Sequence, residues 1–256
     1  MYQLVRLAQL IGLNAVPGFG FFALHWTTGT VIAIYWCETL LGSILVAIRI
    51  DLHRRLTHKR GHYVTREARA ILVNMGNQTK KVGTILSSFL ITSLVFTLAE
   101  GVFLAVLLGQ LPESEAVDPD TLRFGLTLTI SFLIAGFAID LLVIRQRPFF
   151  WIHRLAGGML GRVMILFFVV YIGMAALIFF NAPRATVIVF MVLKTFIDIA
   201  SELPESQTGE APQWQLAIAS LFGPSAREKF AAFARDANRE YGTYAPEDEE
   251  QMQGVS

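Results

Sequence analysis

Five ionisable residues stand in stretches of sequence that are otherwise almost wholly apolar: Glu38, Glu100, Asp140, Lys194 and Asp198. Charged side chains in such surroundings are costly unless they face one another or a polar cavity. Two kinds of chemistry follow. The acids and the lysine can carry a proton, an ion or a polar solute along a path, or they can neutralise one another and fix how helices pack. Lys194 and Asp198 are four residues apart and share one face of a helix. Both readings stand at the level of sequence.

Other chemistry is poorly represented. Cys37 is the single cysteine, so an intrachain disulfide is excluded, and it reads as a small apolar filler in a helix. His53, His58 and His62 lie among Arg54, Arg55, Lys59 and Arg60. No carboxylate set nearby completes a metal site. That basic segment reads instead as a surface for anionic lipid headgroups. There is no nucleophile elbow, zincin motif, P-loop or dinucleotide fingerprint, so an enzyme is the less favoured class and no cofactor is expected.

The elements that must position these residues are helices. Of 256 residues 54% are hydrophobic and only 16% charged, and the charge gathers between long apolar stretches. That is the pattern of membrane spans and their loops. The predicted class is all-α, a polytopic transmembrane bundle of about six spans. They run over 4–24, 30–50, 82–109, 122–144, 155–180 and 185–200. Asn14, Pro17, Gly18 and Gly20 should kink the first helix or stop it short. Arg6 followed by an apolar stretch could pass for a signal peptide; with Pro17 and the glycines breaking the run, it reads as a retained first helix. The connection at residues 25–29 is so short that the first two helices must form an antiparallel hairpin. Gly157 and Gly161 form a small-xxx-small pair that permits close helix contact, within the monomer or in a dimer.

Loop charge gives the orientation. Arg49, Arg54, Arg55, Lys59, Arg60, Arg66, Arg69, Lys80 and Lys81 separate the second and third helices, and Arg145, Arg147, Arg154 and Arg162 the fourth and fifth. The alternate connections hold Glu113, Glu115, Asp118 and Asp120, with Arg123, and then Asn181 to Arg184. Basic loops inside places both termini in the cytoplasm, with the chain multi-pass in the inner (plasma) membrane. Phe149, Phe150 and Trp151 fit an interfacial aromatic belt at that edge. A net charge of +1 gives no field for nucleic acid.

Residues 1–203 thus form the bundle and 204–256 a cytoplasmic tail. The tail begins as a linker, and Trp214, Leu216, Ile218, Leu221 and Phe222 are apolar enough to touch a membrane surface. An amphipathic helix over 226–241 follows, with Phe230, Phe233 and Tyr241 on one stripe, Ser225 as its cap, and a protein partner as the expected contact. The acidic end from Pro246 reads as disordered.

Depth links the buried charges. Glu38, Lys194 and Glu100 each lie about ten residues from the outer end of their helices, or about 15 Å at the helical rise. The middle of a hydrocarbon core about 30 Å thick is at that depth. Glu38 and Lys194 are therefore expected to pair, with Glu100 able to join them.

The segment Tyr35-Trp36-Cys37-Glu38, the later Gly42, and Lys194-Thr195-Phe196-Ile197-Asp198 resemble a prokaryotic membrane family catalogued as domain of unknown function 6498. The resemblance covers roughly residues 5–203. Thr39 stands where members of the family commonly have Asn, and the sequence after Asp198 lacks their histidine-rich ending. The resemblance implies a membrane-embedded helical fold and assigns no activity. The function expected is that of a non-enzymatic accessory or scaffold component of a membrane assembly. The alternative is a small transporter or channel using the Glu/Lys/Asp cluster.

Overall fold

The computed structural model describes residues 2–63, 84–180, 183–202, 216, 220, 223–237 and 249–251. These residues are all-helical, with no strand among them. The helices are α1 (Tyr2–Ala23), α2 (Thr28–Thr57), α3 (Ile85–Gln110), α4 (Pro119–Val143), α5 (Phe149–Phe180), α6 (Pro183–Glu202) and α7 (Pro224–Ala237). Arg66, Arg69, Lys80, Lys81, Trp214, Tyr241 and the side chain of Phe233 lie outside the described residues.

Helix α1 does not stop at Pro17, which is carried inside it. The chain then turns through His25 in the left-handed region, with a φ of 55°. The Trp26 ring folds back onto Gly20, where a Cβ would come within 2.2 Å of it. Gly20 is therefore a packing surface for the hairpin rather than a breaker. The Thr27 side chain caps α2 by accepting from the Thr30 backbone N–H.

Helix α2 runs seven residues past Ile50, so His53, Arg54 and Arg55 belong to a helix and not to a loop. Asp51 one turn before both arginines compensates their charge, at 2.6 and 2.7 Å. Helix α2 is central and packs against α1, α3, α4, α5 and α6. One apolar cluster gathers Trp26, Val31, Ile34, Tyr35, Leu104 and Val187 around its first half. A second gathers Val46, Ile50, Phe89, Ile152 and Val163 around its second half.

The outer surface is apolar where the interior is polar. Ile91, Val95, Val102, Ile134, Leu142 and Val192 are exposed, while Glu38, Glu100, Asp140, Lys194 and Asp198 are buried. Inverted patterning of this kind suits a hydrocarbon solvent. Among the described residues three helical stretches are long and apolar enough to cross a membrane: Thr28–Thr57, Ile85–Gln110 and Glu113–Gln146.

Three local expectations are corrected. Ser225 is not the cap of the tail helix. It sits inside α7, and Gly223 precedes the helix with a φ of 106°, its carbonyl accepting from Ala226 and Arg227. Gly157 and Gly161 meet no described atom within 4 Å of an added Cβ, so they do not mediate packing among the described residues. Glu249 to Gln251, in the stretch expected to be disordered, lie against Lys59 and Arg60.

Candidate functional site

Lys194 projects from α6 into the bundle and is 7% exposed. An ammonium has three protons to donate. One goes to Glu38 Oε1 on α2 at 2.9 Å, one to Asp198 Oδ2 a turn along α6 at 2.8 Å, and one to Asn14 Oδ1 on α1 at 3.1 Å. The Tyr35 ring lies 5.0 Å from the ammonium, near enough for a cation–π contact.

Asn14 is fully used. Its amide nitrogen donates to Asp198 Oδ2 at 2.9 Å and to the Leu10 carbonyl at 3.0 Å, while its oxygen receives Lys194 and Thr195. The second oxygen of Asp198 faces Arg162 Nε of α5 at 3.0 Å. Two acids and two bases from α2, α5 and α6, with the amide of α1, thus form one network with no net charge. Arranged this way, the charges can hold helices in register, since each compensates the other's desolvation. One position is left open: Glu38 Oε2 has no hydrogen-bond partner among the described residues.

The five candidate residues do not form one cluster. Asp140, fully buried on α4, pairs with Arg49 of α2 at 2.9 Å, and the Arg49 guanidinium lies 4.9 Å from the Phe137 ring centre. Glu100 stands apart from Glu38 and Lys194 on α3. It is 2% exposed, its carboxyl meets the backbone of Phe167 on α5, and its Oε1 has no hydrogen-bond partner among the described residues. Helix α3 faces α2 at that level by another route, the Trp36 indole donating to the Thr97 carbonyl at 3.0 Å.

The residues that carry the family resemblance are therefore the ones that meet: Tyr35 and Glu38 against Lys194 and Asp198. A family model described as a family of unknown function, DUF6498, matches residues 1–215. The chain belongs to this family. No curated protein and no solved structure matches it.

Sequence reasoning missed three members of these sites in the DUF6498 chain. In the sequence Asn14 reads only as a helix breaker. Arg49 and Arg162 look like loop cations by composition, yet both bind buried acids from within helices. Arg49 carried a usable signal. It lies eleven residues after Glu38, three helical turns along nearly the same face.

The basic end of the bundle has its own order. His53 and His62 are fully buried, and Nδ1 of one lies 2.7 Å from Nε2 of the other. The remaining nitrogen of His53 faces the Arg147 carbonyl at 3.0 Å. The His62 ring stands edge-on to Phe149, which packs so close to Gly61 that a Cβ there would lie 2.3 Å from its ring. Burial, reinforced by neighbouring His53, Arg54 and Lys59, pushes the His62 pKa down to about 3. His58 is the left-handed C-cap of α2 and stands outside this pair. Among the described residues no group of three His, Cys, Asp or Glu is placed to hold a metal.

The four cations expected to meet lipid headgroups all face acids of the chain. Arg54 and Arg55 share Asp51, Lys59 meets Glu249 at 2.5 Å, and Arg60 lies 3.9 Å from Glu250. Trp151, expected in an interfacial belt, is partly buried against the second apolar cluster, with the Arg147 guanidinium 5.6 Å from its ring centre.

At the opposite end Glu115 is the tie. Its carboxylate accepts from the Thr28 backbone N–H at 2.9 Å and pairs with Arg184 at 2.7 Å. It thereby joins the α1–α2, α3–α4 and α5–α6 connections.

Proposed function

We propose that this chain is a six-span, multi-pass protein of the prokaryotic inner membrane with both termini in the cytoplasm. It acts as a non-enzymatic accessory or scaffold component of a membrane assembly. The observation that carries this reading is the saturation of Lys194. All three of its protons are taken by side chains of the bundle, which leaves the ammonium no donor for a passing solute. The tail supplies a contact surface for a protein partner through α7, where Arg227, Glu228, Lys229 and Phe230 are exposed.

The test is permeability. Proteoliposomes holding the protein should keep a pH gradient as long as empty vesicles do. A leak that Lys194→Met abolishes would favour the alternative, a small transporter or channel using Glu38, Lys194 and Asp198. Two observations favour that alternative: Glu38 Oε2, which has no hydrogen-bond partner among the described residues, and Arg162, whose 26% exposed side chain links Asp198 to the bundle surface.

The orientation rests on the ends of the helices. Arg49 and Arg162 no longer count as loop charges, yet Arg54, Arg55, Lys59, Arg60, Arg145 and Arg147 remain at one end. Glu113, Glu115, Asp118 and Asp120 mark the other. Thr57 is buried and bonded to His53, so a cysteine there would report burial and not sidedness. Arg55, 71% exposed, is the better reporter. Impermeant thiol reagent on whole cells should label Ser114→Cys and spare Arg55→Cys.

A further inference from the structure

The basic end of the bundle holds an anion, and that anion is the chain's own. Glu249 accepts from Lys59 Nζ through Oε2 at 2.5 Å, and from the Phe150 backbone N–H through Oε1 at 3.3 Å. Phe149 and Phe150 open α5, so their N–H groups are among those a helix leaves without internal partners. One residue on, the Glu250 carbonyl accepts from the Arg60 N–H at 2.9 Å, and Gln251 bridges Lys59 in an antiparallel pair. The carboxylate is held below the usual range for glutamate. Burial alone would raise it, but the Lys59 hydrogen bond and the Phe149 and Phe150 N–H groups outweigh that.

The chemistry of this seat is that of an oxyanion receptor: one ammonium, two helix-terminal N–H groups and a flanking guanidinium. Its lysine is 19% and the Glu249 side chain 17% exposed, so the contact is reached by solvent. Its position matters as well. It lies just past the end of α2, a helix long and apolar enough to cross a membrane, with Lys59 also donating to the Arg147 carbonyl at 3.3 Å. In the proposed six-span arrangement that end would stand at the level of the headgroup phosphates.

We propose that the seat made by Lys59, Arg60 and the first N–H groups of α5 is a binding site for the phosphate of an anionic phospholipid. In that account the Glu249–Gln251 segment is its built-in competitor. When anionic lipid is scarce the segment occupies the seat. When it is plentiful a headgroup phosphate replaces the Glu249 carboxylate and the end of the chain is released. The idea goes beyond the scaffold reading and stands whether or not the bundle transports anything.

The experiment is a distance measurement on the full chain in nanodiscs. Spin labels are placed at Gln251→Cys and Leu56→Cys in a Cys37→Ser background, both sites being exposed. In purely zwitterionic lipid a single short-distance population is expected. Raising the share of phosphatidylglycerol should convert most of it to a long, broad one. Glu249→Gln should raise the share of the broad population in zwitterionic lipid and lower the share of phosphatidylglycerol needed for release. A short population unchanged across the lipid series would overturn the proposal. Inorganic phosphate added to zwitterionic nanodiscs should leave the short population in place. Release by free phosphate as effective as that by anionic lipid would overturn the lipid assignment.

Discussion

Two lysines in this protein are paired with glutamates, and they teach opposite lessons. Lys194 is 7% exposed and meets Glu38, Asp198 and Asn14, so its three donors are satisfied from three helices. Lys59 is 19% exposed and meets Glu249 and the Arg147 carbonyl at the rim of the bundle. Coulomb attraction at similar separation is several times stronger in the interior than near water. The interior pair also carries a far larger desolvation cost, so neither partner can leave without stranding the other. The rim pair is partly exposed, so salt screens it and its loss strands no deeply buried charge. One arrangement suits a permanent clasp between helices, the other a contact that opens.

The contrast gives a ranked set of expected effects. Lys194→Met strands Glu38, whose other oxygen already has no partner among the described residues. A stability loss of about 3–5 kcal/mol is expected. Thermal unfolding in detergent measures it, and the loss should be nearly independent of salt. A salt-sensitive loss would place Lys194 with Lys59 in kind.

The His62 effect comes next. Its folded pKa, about 3, lies below the ordinary value of 6.5, so the unfolded chain binds the extra proton between those values. Stability should be flat above pH 6.5. It should fall as pH drops through the window from 6.5 to 3, by at most about 1.4 kcal/mol per unit for this one group. Melting temperatures across that range should flatten in His62→Gln, and an unchanged slope would assign the acid sensitivity elsewhere.

The smallest effect is at the rim. Glu249→Gln should cost about 1 kcal/mol or less, and that cost should vanish in about 1 M salt, where screening acts within about 3 Å. Because the folded Glu249 is held below its ordinary pKa, its contribution is present above pH 4.5 and lost as pH falls further. A loss as large as that at Lys194 would erase the distinction between the two sites.

The helical class was legible in the sequence because long apolar runs bounded by charge have few other physical readings. Helix ends were less so. The basic run after Ile50 looks like a loop by composition, but Asp51 supports Arg54 and Arg55 one turn on, and burial of His53 carries α2 seven residues further. The meeting of Glu38 and Lys194 followed from their shared depth. Depth alone could not separate Glu100, which lies at a similar level on a helix whose face turns it toward Phe167. Depth fixes the height of a charge and leaves its direction around the axis open. The docking of Glu249 was hidden for a different reason. It depends on a seat assembled from residues 59, 60, 149 and 150, which composition of the tail cannot reveal.

The clasp is tested most directly by a double-mutant cycle on Glu38→Gln, Lys194→Met and the two together, read as detergent melting. Asp198 keeps Arg162 in every member of the cycle, so the coupling reports on the Glu38–Lys194 contact. The account predicts that the double variant is more stable than the sum of the single losses allows, by about 1–3 kcal/mol. Strictly additive losses would contradict it, because they would mean that the two charges do not hold each other in the folded protein.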